Sequence, residues 1–251
     1  MVSSPAVVEE FAGDLASLGW VTDLLVAGSL ATGDYRPGVS DLDLVALVAG
    51  PVDPTRQDTL AALHRRLDAG TGSGLHLGCV YVDTASVCGV QVRHPTWTHG
   101  QLVQRILSGV TRAELVRHGY AVFGRPPRDV LPPMSADDVR AAARAELTGY
   151  WAWAARRPWR WLDPTLADLG LTSMARGRHA LGNGELLTKT DAIRQADAPA
   201  WLVDQLAARR RGERVSSPRL RTALIAWRDA RRTVARARLR DARTIGTGGA
   251  E

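Results

Sequence analysis

The chain has 251 residues, 45% apolar and 23% charged, enough for two compact domains of ordinary globular composition. No apolar run approaches the ~20 residues that cross a bilayer, and the N-terminus carries no basic-then-apolar signal segment. Two cysteines, Cys79 and Cys88, make no disulfide framework and match no zinc spacing, so a cytoplasmic protein is expected. The net charge of +6 is uneven, with residues 1–133 at −3 and residues 134–251 at +9, and 31 of the 32 basic residues are Arg. That uniformity suggests GC-rich coding more than selection for nucleic acid, and it makes the single lysine, Lys189, worth following.

In chain order, Val7, Val8, Phe11, Leu15 and Leu18 recur at helical spacing and predict an amphipathic helix over 5–18. The run Val21, Leu24, Leu25, Val26, Ala27 then reads as a buried strand that ends at Gly28-Ser29. After eleven intervening residues, Asp41-Leu42-Asp43 opens a second apolar run through Leu44, Val45, Ala46, Leu47 and Val48. Positions i and i+2 of a strand point to one face, so the Asp41 and Asp43 carboxylates project together. Two such carboxylates repel each other unless a cation sits between them. Mg²⁺, which takes one or two carboxylates plus phosphate oxygens and water, meets that need. Gly28 lets the backbone approach a ligand, and Ser29 offers a hydroxyl and an N–H suited to phosphate. Together these parts describe a metal–triphosphate site.

After Pro51 and Pro54, Thr55 to Leu67 predicts a helix with Leu60, Leu63, His64 and Leu67 on one stripe, broken at Gly70–Gly74. Leu75 to Val82 is the third strand. Arg93 to His99 reads as a polar, aromatic connection, and Leu102, Val103, Ile106 and Leu107 as a helical stripe ending by Gly109. Thr111 is placed to cap a further turn, and His118–Gly124 is extended. Four prolines in Arg125–Pro133 predict an extended linker. Beyond it the chain reads as a bundle of four or five helices. Ser135 with Asp137 and Asp138 starts the first of these, and Pro164, Pro199 and Pro218 stand in the first turns of later ones. The expected organisation is a domain over 1–124, the linker 125–133, a helical domain over 134–244 and a disordered tail over 245–251.

Gly28-Ser29, a short helix, then Asp41-Leu42-Asp43, all within residues 20–48, resembles the nucleotidyltransferase superfamily of DNA polymerase β. The resemblance implies an α/β (α+β) domain with a small mixed sheet, a nucleoside triphosphate held by Ser29 and its neighbours, and two Mg²⁺ ions held by Asp41 and Asp43. Many relatives carry a third carboxylate on the third strand, as metal ligand or as base for the acceptor hydroxyl. Here that strand has none internally; Asp83 at its end is the candidate, and His76 a second.

Residues 111 to about 205 are similar to the C-terminal half of the streptomycin/spectinomycin-type aminoglycoside adenylyltransferases. The likeness lies in His118–Gly124, the Pro-rich stretch, an aromatic-plus-acid segment, Leu171–Arg176, and the run Ala180 to Lys189. By that similarity Lys189 reaches the triphosphate, and Asp163 and Asp168 face the acceptor. Taken alone, Lys189 reads more readily as a solvated helix start, and Asp163 equally as a helix cap. Trp151, Trp153, Trp159 and Trp161 lie beside Arg156, Arg157 and Arg160, a cluster suited to stacking a ring or to packing between domains. From Arg209 onward the chain has 13 arginines and four acids, read as a solvated helix face rather than a nucleic-acid surface. The expected reaction is transfer of AMP from ATP to a hydroxyl of a small molecule such as an aminoglycoside. The alternatives are an enzyme acting on RNA or protein, and a relative that binds nucleotide without catalysis.

Overall fold

Helix α1 (Ala6–Ser17) turns Val7, Val8, Phe11 and Leu15 inward at the spacing the sequence set, in a computed structural model that describes residues 5–246. The chain divides into two compact units after Met134. In the first, α1 leads into β1 (Val21–Val26), a single helical turn α2 (Gly28–Ala31) and β2 (Leu42–Val48). Helix α3 (Pro54–Ala69), capped by the Asp53 side chain on the Arg56 N–H, crosses over to β3 (Leu77–Asp83). Then come β4 (Arg93–Thr98), β5 (Gln101–Ile106), α4 (Gly109–His118), β6 (Tyr120–Phe123) and α5 (Pro127–Val130). The strands form one sheet in the order β5-β4-β3-β2-β1-β6. β2 and β3 are parallel because a helix joins them, and the other neighbours are antiparallel.

Alternation along each strand sorts the side chains onto two faces. Leu42, Leu44, Ala46 and Val48 of β2 pack with Phe11, Leu15, Leu60 and Leu67 of α1 and α3. Val45 and Leu47 join Leu25, Val82, Leu107, Leu115 and Leu131 on the other face. By the same alternation Asp43 belongs to this second face. His64, fully buried in the first face, bonds the Tyr81 hydroxyl at 2.7 Å and stacks on Trp97 with ring centroids 4.8 Å apart. Burial pushes its pKa down to about 3, so the ring is neutral.

Two stretches differ from expectation. Arg93–Thr98 and Gln101–Ile106 form a hairpin where a loop and a helix were expected. His99 (φ 49°) and Gly100 (φ 74°) both take left-handed backbone at its turn, as a two-residue turn between antiparallel strands requires. β5 is an edge strand exposed along most of its length, so it has no buried face to impose a two-residue period, and its few apolar residues imitate a helical stripe. Arg125–Pro133 is not extended throughout: Pro127–Val130 is a helical turn, and Leu131 enters the second-face core. Arg125 ties this stretch to β1 by donating to Asp23 from its backbone N–H (2.6 Å), Nε (3.0 Å) and Nη2 (2.8 Å). Burial alone would raise the Asp23 pKa, but hydrogen bonds from Arg125 and Thr22 outweigh it and hold the carboxyl below its ordinary range.

In the second unit, α6 (Ala136–Glu146) begins with a reciprocal cap, Ser135 and Asp138 each bonding the other's backbone N–H. A wide π turn (Leu147–Trp151) carries α6 into α7 (Ala152–Ala155), and a 3₁₀ turn (Pro158–Leu162) precedes α8 (Pro164–Asn183). Gly184, at φ 70°, ends α8 in left-handed conformation, a role suited to glycine. α9 (Lys189–Arg194), α10 (Ala200–Arg210) and α11 (Arg219–Gly246) complete the unit. Among the described residues it therefore has six α-helical segments rather than four or five. α8 lies between α6 and α11. Arg178 of α8 pins α11 through Asp229 (2.6 Å) and Thr233 (2.8 Å). The tail was expected to lose order at 245; α11 runs to Gly246, and 247–251 lie outside the described residues. No helix among the described residues is long and apolar enough to cross a membrane.

Candidate active site

The segment from Gly28 to Asp43 is held in place by its own hydrogen bonds. The Ala27 N–H donates to the Asp43 carbonyl (2.9 Å), joining the end of β1 to the start of β2. Between them, the Asp34 N–H bonds the Ser29 carbonyl (2.9 Å), and the Arg36 N–H bonds the Ser40 hydroxyl (3.0 Å). Thr32 Oγ1 closes α2 on the Gly28 carbonyl (3.2 Å). A loop fixed at this many points presents Asp41 and Asp43 at a defined place at the sheet's end.

Gly28 is in left-handed backbone (φ 60°), and the Asp43 carboxylate lies directly against its α-carbon. A Cβ at this position would stand 2.1 Å from Asp43 Oδ2 and 2.9 Å from Cγ. Glycine is needed here both for its φ and for the space it leaves. Ser29, one residue on, is 4% exposed and its Oγ has no hydrogen-bond partner in the protein. A buried hydroxyl without a partner costs stability unless something bonds it. Asp41 is exposed and Asp43 half-buried. These oxygens are hard donors of the kind Mg²⁺ and phosphate groups take. Among the described residues, no group of three or more His, Cys, Asp or Glu is placed to hold a metal. A cation here would draw its remaining ligands from the substrate and water.

The register of the parallel pair corrects one expectation. Asp43 pairs with Gly78, whereas Asp83 pairs with Val48. Five residues along β3, at about 3.3 Å each, put Asp83 roughly 16 Å from the level of Asp43. Its carboxylate instead accepts from the Ala85 N–H and caps the 3₁₀ turn that follows β3. Asp83 is at the wrong end of the sheet to act with Asp41 and Asp43. Gly78 shares the Asp43 face, so no side chain stands where a third acid would. His76, two residues earlier, lies at the level of Asp41; its carbonyl accepts from the Leu42 N–H (3.3 Å), and its φ is 48°. A parallel register needs tertiary pairing to be read, which is why sequence order favoured Asp83.

The remaining site candidates lie in the second unit. Lys189 is the first residue of α9, behind a Thr188 cap whose side chain accepts from the Asp191 N–H. Asp163 is the N-cap of α8, accepting from the Thr165 N–H at 2.9 Å. Asp168 forms a two-point ion pair with Arg209, Nε to Oδ2 at 2.6 Å and Nη2 to Oδ1 at 2.9 Å. That geometry is the strong form of an arginine–carboxylate contact and occupies both Asp168 oxygens.

Residues 8–71 match the family model for the nucleotidyltransferase domain, a span that contains Gly28, Ser29, Asp41 and Asp43 and stops short of Asp83. No curated protein matches the chain by sequence. Among solved structures it is similar to the spectinomycin adenyltransferase AAD(9) from Enterococcus faecialis, crystallised with ATP and spectinomycin. The identity is 13% and the TM-score 0.68, over 90% of this chain and 98% of that one. A toxin–antitoxin with AMP-PNP is 18% identical over 51% of this chain and 78% of that one, but its TM-score of 0.30 carries no argument. Residues 8–71 thus match a nucleotidyltransferase domain by sequence model, and the chain as a whole shares the fold of the spectinomycin adenyltransferase.

Proposed function

We propose that the protein transfers AMP from ATP to a hydroxyl of a small molecule, with an aminoglycoside as the acceptor class to test first. The observation that carries this reading is the fixed cradle at Gly28: a left-handed glycine against the Asp43 carboxylate, followed in the chain by Ser29, whose buried hydroxyl is unsatisfied. Asp41 and Asp43 would hold Mg²⁺, which when bound neutralises charge on the phosphates and the departing pyrophosphate. Ser29 and the backbone around Gly28 orient the triphosphate, with the acceptor hydroxyl in line for attack on its α-phosphorus. His76, at the level of Asp41, takes the acceptor's proton. Lys189 is assigned to the triphosphate, and Asp163 and Asp168 to the acceptor side, on resemblance alone; the capping and ion-pairing roles of the two acids compete with that assignment. ATP and an aminoglycoside are supported by what the spectinomycin adenyltransferase holds in its crystal.

Pyrophosphate release from ATP and Mg²⁺, measured across a panel of aminoglycosides and other polyols, tests the reading. Release is expected with at least one acceptor, and Asp41→Asn or Asp43→Asn is expected to abolish it while leaving the fold intact. ATP binding with no release against any acceptor would overturn the transferase reading. Equal turnover in the two Asn variants would overturn the metal site.

A further inference from the structure

Away from the nucleotide cradle, the turn that joins α6 to α8 carries an unusual surface. The π turn Leu147–Trp151 adds a residue to the helical turn, so Trp151 points inward while Tyr150 and Trp153 stay outside. Tyr150 and Trp153 stack with centroids 5.8 Å apart and are 49% and 38% exposed. Trp159 on the following 3₁₀ turn is 64% exposed. Two guanidinium groups lie on the Trp153 ring: Arg157 at 4.4 Å, also held by the Trp153 carbonyl at 2.9 Å, and Arg160 at 4.7 Å. Arg219 of α11 reaches the same turn and donates to the Leu162 carbonyl at 2.6 Å. Between Glu146 and Asp163 the sequence has no acid, and Asp163 is engaged as a helix cap.

Large aromatic rings left in water are costly to keep unless something covers them, and the arginines decide what can. A patch with several fixed cations repels a polycationic aminoglycoside, so it is not an acceptor subsite for that class. It suits a ligand that is both anionic and flat, with phosphates for the guanidinium groups and bases to stack on the rings. The second unit's excess of nine positive charges adds attraction of the same sign. We propose that Tyr150, Trp153, Trp159, Arg157, Arg160 and Arg219 form a docking platform for single-stranded nucleic acid, with Trp159 as the open stacking ring and Arg157, Arg160 and Arg219 as phosphate contacts. The platform is independent of the transfer reaction proposed above and would stand if that reaction were disproved.

The test is fluorescence anisotropy of a fluorescein-labelled dodecauridylate titrated with the full chain over a range of salt. Three phosphate-contacting arginines predict a slope of log affinity against log salt of about −2. Trp159→Ala is expected to weaken binding about tenfold through the lost stack. Arg157→Gln with Arg160→Gln should weaken it further and flatten the slope by about 1.4. Trp159 and Arg160 are exposed and Arg157 is half-buried, so thermal unfolding should change little; circular dichroism checks that each variant is folded. Absence of binding at 50 mM salt overturns the proposal. So does binding that Trp159→Ala leaves intact, which would move the contact to the arginines of α11. Equal affinity for polyglutamate, with no dependence on Trp159, would overturn it in favour of an acidic protein partner.

Discussion

Replacing Gly28 by alanine separates backbone strain from loss of the site. The new Cβ would stand 2.1 Å from Asp43 Oδ2, far inside contact distance, so the carboxylate must swing away from its place against Gly28. The substitution also forces a non-glycine residue to φ 60°, at about 1–2 kcal/mol. Unfolding entropy of about 2.1 cal/mol/K per residue, over the 134 residues of this unit, makes 1 kcal/mol worth about 3–4 °C in Tm. Strain alone therefore predicts a fall of about 4–7 °C. Gly33 provides the control within the same loop: its φ is 71°, but nothing lies within 4 Å of an added Cβ. Gly33→Ala should lose a similar few degrees and keep its turnover. Gly28→Ala should lose at least as much stability, and its pyrophosphate release should fall by two orders of magnitude or more. Differential scanning fluorimetry and the pyrophosphate assay measure the two effects. Full turnover in Gly28→Ala, or equal inactivation of Gly33→Ala, would refute the cradle.

Asp83→Ala should retain turnover, since its carboxylate sits roughly 16 Å along the sheet from Asp43; a dead variant would mean that the register argument fails. His76→Ala should lower kcat while sparing ATP binding, and unchanged kcat would remove the histidine from proton transfer. His64 gives a pH effect of definite sign. Its folded pKa is about 3 against 6.5 in the free side chain, so below pH 6.5 the unfolded chain takes the proton first. Its contribution to stability is then lost as pH falls from 6.5 towards 3, by up to about 1.4 kcal/mol per pH unit. Urea titrations should show that decline to be shallower in His64→Phe, and parallel curves would count against the buried neutral ring.

The α1 stripe, the strands on either side of Gly28 and Asp43, and the caps at Ser135 and Asp163 were legible because each is local. Spacing, cap chemistry and the freedom of glycine act within a few residues, although of the Asp-x-Asp pair only Asp43 lies within β2 and Asp41 stands one residue before it. The hairpin at 93–106 was not legible, because an exposed edge strand carries no buried period. Asp83 looked suitable because it ends the correct strand, and only the parallel pairing of β2 with β3 reveals that strand's far end as remote from the carboxylates. The sequence determined which polar groups the Gly28–Asp43 segment carries and how closely they follow one another. Tertiary pairing decided which other residues share that place, because register and face are set between strands distant along the chain, and no local rule contains them.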